Sequence, residues 1–204
     1  MPLTEPQRAI AREEFFKNGL HLPTRTIVFG TNSFKEDSEV TDADFLDFFK
    51  ALHILESTRV EDGNEDANLI KIILLTNGGD IYTGFSMYDA IKSCKSPVEI
   101  RVIGKCFSSA TFVLQAADYR YAYPTTTFMV HGVNIDLPDM NKNDAVAWSA
   151  ESERLAKTMV DIYASRLKIS RAKISKMMDH DTIFNAEEAK KIGLIDDIKE
   201  SFSV

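Results

Sequence analysis

The sequence predicts an α/β fold with a largely parallel sheet, in a single domain spanning residues 1–204. Three observations predict it. The runs Ile70 to Leu75 and Val98 to Ile103 are apolar and rich in β-branched residues, as strands buried on both faces are. Each is followed by a turn and a helix-length segment, and strands alternating with helices imply βαβ units with right-handed crossovers. No Pro/Gly/Ser-rich linker, repeat or low-complexity tract divides the chain.

Residues 5–18 are polar and predict a helical arm within an N-terminal segment, 1–24. Thr26-Ile27-Val28-Phe29 reads as a short strand ended by Gly30. Between 41 and 57, Phe45, Leu46, Phe48, Phe49, Leu52 and Leu55 recur at helical spacing, with Thr41 or Asp42 to cap the start. Residues 58–68 are acidic, contain Gly63 and predict a surface loop. The strand 70–75 leads into the turn Asn77-Gly78-Gly79-Asp80 and a helix through Ser93. Gly104 is expected to break the second strand, before a helix from Ser108 to Ala117. Tyr119 to Tyr123 and Thr127 to Val130 predict two more strands. A long helix is expected over 143–167, with shorter ones at 171–178 and 186–192.

The formal net charge is -7 and no basic stripe is present, which argues against a nucleic-acid partner. No apolar run approaches the ~20 residues that span a bilayer, so no membrane segment is expected. Arg8, Arg12, Glu13 and Glu14 interrupt any apolar leader. Cys94 and Cys106 sit in apolar stretches and read as buried thiols in a reducing compartment, which predicts a cytoplasmic location.

Sites in open α/β folds gather at the carboxyl ends of strands, which points to the turns at Gly78 and Ser108. Adjacent glycines let the backbone turn sharply and aim amides at an oxyanion, though a plain turn needs the same residues. No Gly-Lys-Ser/Thr follows them, so they are not a phosphate-binding loop. Ser108 lies at a strand-to-helix turn, where free amides favour a developing anion; serine equally suits a helix N-cap there. His131 follows the strand Phe128-Met129-Val130 and is placed to activate a serine, or to bond to backbone. His21, His53 and His180 show no metal-ligand spacing with it, so no metal or cofactor is expected. Asp181 offers a carboxylate to fix an imidazole tautomer; it could also cap the helix at 186–192 or remain solvated.

These segments together resemble the Clp peptidase family from about Thr26 to Ile198. Leu74-Leu75-Thr76-Asn77-Gly78-Gly79-Asp80 is similar to its Gly-Gly turn. Gly104 to Leu114 resembles its nucleophile segment, Pro124 to His131 the segment that ends on its base, and Asp179-His180-Asp181 through Ala189 the segment of its acid. The resemblance implies a spiral of ββα units, of the type shared with crotonases, with a protruding handle helix at 143–167. It implies catalytic Ser108, His131 and Asp181, with an oxyanion hole from the backbone of Gly78 or Gly79 and of Ser109. It also implies a serine endopeptidase acting on unfolded polypeptides or peptides inside stacked heptameric rings of this chain. An AAA+ unfoldase partner would then bind the ATP.

The chain departs from the family in several places. Ser109-Ala110 replace the family's Met-Gly, and His180 replaces an arginine linked to ring contact. Gly132-Val133-Asn134-Ile135-Asp136-Leu137-Pro138 replaces a substrate-pairing strand, and proline lacks a donor for such pairing. The N-terminal arm does not resemble the family's axial hairpin. The rival readings are a crotonase-like acyl-CoA enzyme, a non-catalytic or assembly subunit of a Clp-type ring, and a phage-type peptidase that processes capsid proteins.

Overall fold

The apolar runs pair with one another in a single mixed sheet of eight strands. The computed structural model describes residues 4–30, 39–61, 65–134 and 141–201, so Ile135 to Pro138 lie outside the described residues. Strand β1 (Leu20–His21) lies antiparallel to β2 (Thr26–Gly30), which pairs in parallel with β3 (Ile70–Thr76). In turn β3 pairs in parallel with β4 (Val98–Phe107), and β4 with β5 (Tyr119–Ala122). Ile70, Ile72, Ile73 and Leu74 are all buried, as a strand covered on both faces requires.

Gly104 does not end the second strand. It takes φ +66°, and the β3–β4 register slips there: Leu74 faces Val102, but Thr76 faces Cys106. A glycine adopts this conformation with no Cβ penalty, so the strand bends and continues. Before the bend, Glu99–Val102 pair with β5. After it, Lys105–Phe107 pair with β6 (Thr127–Val130). The bend thus delivers the end of β4 to the end of β6. Strand β7 (Thr182–Asn185) runs antiparallel to β6, and β8 (Asp197–Ile198) parallel to β5. Neither β7 nor β8 was expected from the sequence. Each is short, and β7 alternates between exposed and partly buried residues.

Helices α1 (Glu5–Asn18) and α2 (Asp42–Ser57) fall at the expected polar arm and at the helical spacing of 41–57. Thr41 caps α2 in a reciprocal box: its hydroxyl accepts from the Asp44 amide and its own amide donates to the Asp44 carboxylate at 2.9 Å. The expected loop at 58–68 contains a short helix, α3 (Glu65–Asn68). Asp80 caps α4 (Ile81–Lys92) by accepting from the Thr83 amide at 2.8 Å. The predicted helix from Ser108 to Ala117 is α5 (Ser109–Val113) followed by a tighter turn over Leu114–Ala116. The long helix α6 spans Lys142–Ala164, ending short of 167, where Leu167 turns back to the Tyr163 carbonyl. Helices α7 (Arg171–Met177) and α8 (Ala186–Ile192) complete the chain, with Gly193 at φ +83° closing α8.

An ion pair with a buried arginine anchors the turn that follows α5. Arg120, 5% exposed, is paired with Asp196 and donates to Gln115 Oε1 at 2.5 Å and to the Gly193 carbonyl at 3.0 Å. Gln115 in turn donates to the Thr111 carbonyl at 2.9 Å. Among the described residues, no helix is long and apolar enough to cross a membrane.

Candidate active site

The end of β4 runs directly into Ser108, which stands at φ +55° and ψ -130°. A serine in this region costs about 1–3 kcal/mol, so its surroundings must hold it there. They do so from two sides. The Ser108 amide donates to the Met129 carbonyl of β6 at 2.8 Å. The Ser108 carbonyl accepts from the Thr111 hydroxyl at 2.6 Å. Thr111 Oγ1 lies 2.7 Å from the buried Tyr163 hydroxyl of α6. Because the Thr111 hydrogen is already used, Tyr163 is the donor in that pair. Burial pushes the Tyr163 phenol pKa upward, which keeps the proton in place.

The register Phe107 to Met129 sets the end of β6 beside the end of β4. His131, just past β6, places Nε2 2.7 Å from Ser108 Oγ. Its Nδ1 lies 2.6 Å from the Gly132 carbonyl oxygen. A carbonyl only accepts, so Nδ1 carries the ring hydrogen and Nε2 is left to accept from the Ser108 hydroxyl. That is the tautomer a general base requires.

The Gly78 turn closes over this pair. A Cβ at Gly78 would stand 2.5 Å from the Phe107 carbonyl oxygen and 2.8 Å from Ser108 Cβ, and φ is +84°. Only glycine fits such an approach. The two turns therefore meet at one sheet edge. Their amides are less free than the sequence suggests. The Gly78 amide donates to Thr76 Oγ1 at 3.0 Å, and the Gly79 amide to Ser109 Oγ at 3.0 Å. The Ser109 amide is the first of α5, where the helix ladder supplies no acceptor.

Asp181 is not joined to His131. It is exposed and makes no hydrogen bond or ion pair among the described residues. The β6–β7 ladder ends at Val130 paired with Thr182, so His131 and Asp181 are the residues that adjoin that last pair. His180 is also exposed.

A cavity of about 580 Å³ opens over Ser108 and His131. Its apolar wall is Ile81, Phe112, Met129, Trp148, Leu155 and Met159. Three of these come from α6, so the long helix forms one side of the cleft. At the rim, Tyr82 donates to Glu151 Oε1 at 2.9 Å, linking α4 to α6. Arg154 grips the same carboxylate through two bonds of 2.7 Å and, with Tyr82, holds its pKa down at about 2. Both cysteines are free thiols. Cys106 is fully buried, and burial drives its pKa well above the usual range; Cys94, half-buried, is pushed up to about 11.

The sequence did not point to Thr111 and Tyr163. The one local signal is that Thr111 lies three residues after Ser108, the spacing of a hydroxyl that returns to a helix start. Tyr163 lies 52 residues from Thr111 and carried no signal.

The sequence profile described as Clp protease matches residues 27–202. The ATP-dependent Clp protease proteolytic subunit 1 of Chlamydia abortus is 33% identical over 167 residues, covering 80% of this chain and 84% of that one. The ATP-dependent Clp protease proteolytic subunit of Deinococcus radiodurans is 30% identical over 135 residues, covering 63% and 64%. Among solved structures, a variant of ClpP1 from Listeria monocytogenes superposes with a TM-score of 0.74 at 24% identity. It covers 88% of this chain and 94% of its own, and shares the fold. A profile that takes in both turns, His131 and the end of the sheet leaves one assignment: the chain belongs to the Clp protease family.

Proposed function

We propose that this chain is a serine endopeptidase that cleaves peptides or unfolded polypeptides through an acyl-enzyme. The observation that carries the reading is Ser108 Oγ at 2.7 Å from His131 Nε2, on a strained turn beside the cavity. Ser108 Oγ attacks the scissile carbonyl carbon while its proton passes to His131 Nε2. The carbonyl oxygen becomes an oxyanion facing the Ser109 amide and the Gly78-Gly79 turn. The C–N bond then breaks as His131 returns the proton to the leaving amine. Water, deprotonated by the same imidazole, hydrolyses the ester and restores Ser108. Asp181 accepts the Nδ1–H hydrogen bond in place of the Gly132 carbonyl, and so stabilises the imidazolium. The register of β6 and β7 supports that role.

The cavity wall suits an apolar substrate side chain. The assembly in this reading is a pair of stacked heptameric rings, served by an AAA+ unfoldase in the cytoplasm. Val146 and Trp148 on α6, and Leu46 and Phe49 on α2, are large exposed apolar side chains of the kind that subunit contacts cover. Two relatives carry the name of ATP-dependent proteolytic subunits, which supports a partner ATPase.

A fluorophosphonate probe should label the wild-type protein and leave Ser108→Ala unlabelled, in parallel with cleavage of casein or a short peptide. Labelling that survives S108A would sink the assignment. Negative-stain imaging of the same sample reads the ring. A second reading, a ring subunit that supports an active paralogue, is favoured by the exposed Asp181. It predicts rings without labelling. Thioester turnover without labelling would instead indicate an acyl-CoA enzyme.

A further inference from the structure

Ser109 stands where the family resemblance sets a methionine, and the acyl-enzyme steps leave its hydroxyl unused. That oxygen accepts the Gly79 amide hydrogen at 3.0 Å, on the wall of the cavity that holds Ser108. Ser109 is only 6% exposed. Its Cβ is packed so closely on α4 that a Cβ at Gly84 would stand 3.0 Å from it. Its backbone begins α5 beside the strained Ser108. Backbone and Cβ are therefore fixed, and the hydroxyl alone can turn, about one torsion.

Resting on the peptidase reading above, we infer that Ser109 is a positioning residue that occupies the Gly79 oxyanion donor between turnovers. One N–H makes one good hydrogen bond. A neutral substrate carbonyl competes with the neutral Ser109 hydroxyl on equal terms and gains little by displacing it. A developing oxyanion displaces it, because charge-assisted hydrogen bonds are roughly twice as strong as neutral ones. The Gly79 amide is thus withheld from the ground state and released to the transition state. Ser109 weakens substrate binding without slowing the bound substrate's reaction.

The kinetic signature follows from that difference. In Ser109→Ala the Gly79 amide meets the substrate carbonyl and the oxyanion alike. Binding both states more tightly lowers KM and leaves kcat nearly unchanged. One neutral hydrogen bond corresponds to about a 5-fold change. S109A should therefore raise kcat/KM on a short peptide about 5-fold, through KM. Affinity for a peptide boronic acid, which presents an anionic oxygen once bonded to Ser108, should rise by a similar factor. Ser109→Cys, of similar size with a weaker acceptor, should fall between the two.

The hydrogen bond itself is read without turnover. In the assembled, substrate-free protein, the Gly79 amide should exchange with deuterium faster in S109A than in wild type. A kcat/KM that is unchanged or lower in both variants, with melting temperatures matching wild type, overturns the proposal. Unchanged Gly79 exchange overturns it too. Failure of the peptidase reading looks different: no variant then labels with fluorophosphonate, and the proposal falls with it.

Discussion

The two halves of the candidate site are built to different standards. Ser108 and His131 are fixed by backbone pairing. The strand register, the Met129 carbonyl, the Thr111 hydroxyl and the Gly132 carbonyl all converge on them. Asp181 lies beyond the last paired residue of β7, exposed and without a partner among the described residues. In the proposed mechanism, the attacking pair is thus assembled within one chain, while the support of the imidazolium hangs on the residue before β7. The difference teaches where the proposed triad is open to adjustment: Ser108 and His131 are already in contact, and Asp181 is not.

The largest test of that contrast compares His131→Ala with Asp181→Asn. Loss of the base should cost peptidase kcat roughly 10⁶-fold, and loss of the carboxylate roughly 10⁴-fold. The second figure is smaller because the carboxylate orients and stabilises the imidazole without itself carrying the proton. Steady-state kinetics on one peptide decides it. Equal losses in the two variants would erase the distinction between the halves, and an unchanged D181N enzyme would remove Asp181 from the site.

The strand ends of the tight half were legible in the sequence for a local reason, while Ser108 itself, which alone reads as a helix cap, stood out by its order and spacing with the Gly78 turn and His131. A β-branched run ending in a turn announces a strand end, and strand ends are where Ser108 and His131 stand. The same locality explains what was misread. Gly104 looks like a strand breaker, yet a bend with positive φ keeps β4 paired on both sides. Gly78 and Gly79 look like free donors, because their acceptors, the hydroxyls of Thr76 and Ser109, are identified only once the turns are folded together. Asp181 was chosen by its order along the chain. Order sets a register, and a register does not place a side chain in contact. Strands β7 and β8 were missed because four and two residues carry too little periodicity to register.

The tight half should also carry a measurable strain. Ser108 holds a positive φ that glycine adopts freely, whereas alanine does not. Two inactive variants therefore separate strain from chemistry. Ser108→Gly should be more stable than Ser108→Ala by about 1–2 kcal/mol, toward the lower part of the usual range for such backbone conformations. Denaturant melts at a fixed protein concentration measure the difference. Equal stability would mean that the turn relaxes when its hydroxyl is removed, and that its neighbours do not over-determine it.

A smaller effect concerns the anchor behind that turn, the chain of bonds from Thr111 through Gln115 and Arg120 to Asp196. Burial alone would raise the Asp196 pKa, but the hydrogen bonds and charge of Arg120 outweigh it and lower the value. A carboxyl whose pKa is lowered on folding adds stability above its unfolded value, roughly pH 4. That contribution is lost as pH falls through the folded value. Asp196→Asn removes the charge at every pH and leaves Arg120 unpaired. The melting temperature of wild type should therefore exceed that of D196N near pH 7, and the gap should narrow below about pH 4. Asp196 is partly exposed, so solvent screens the pair and the gap should be modest.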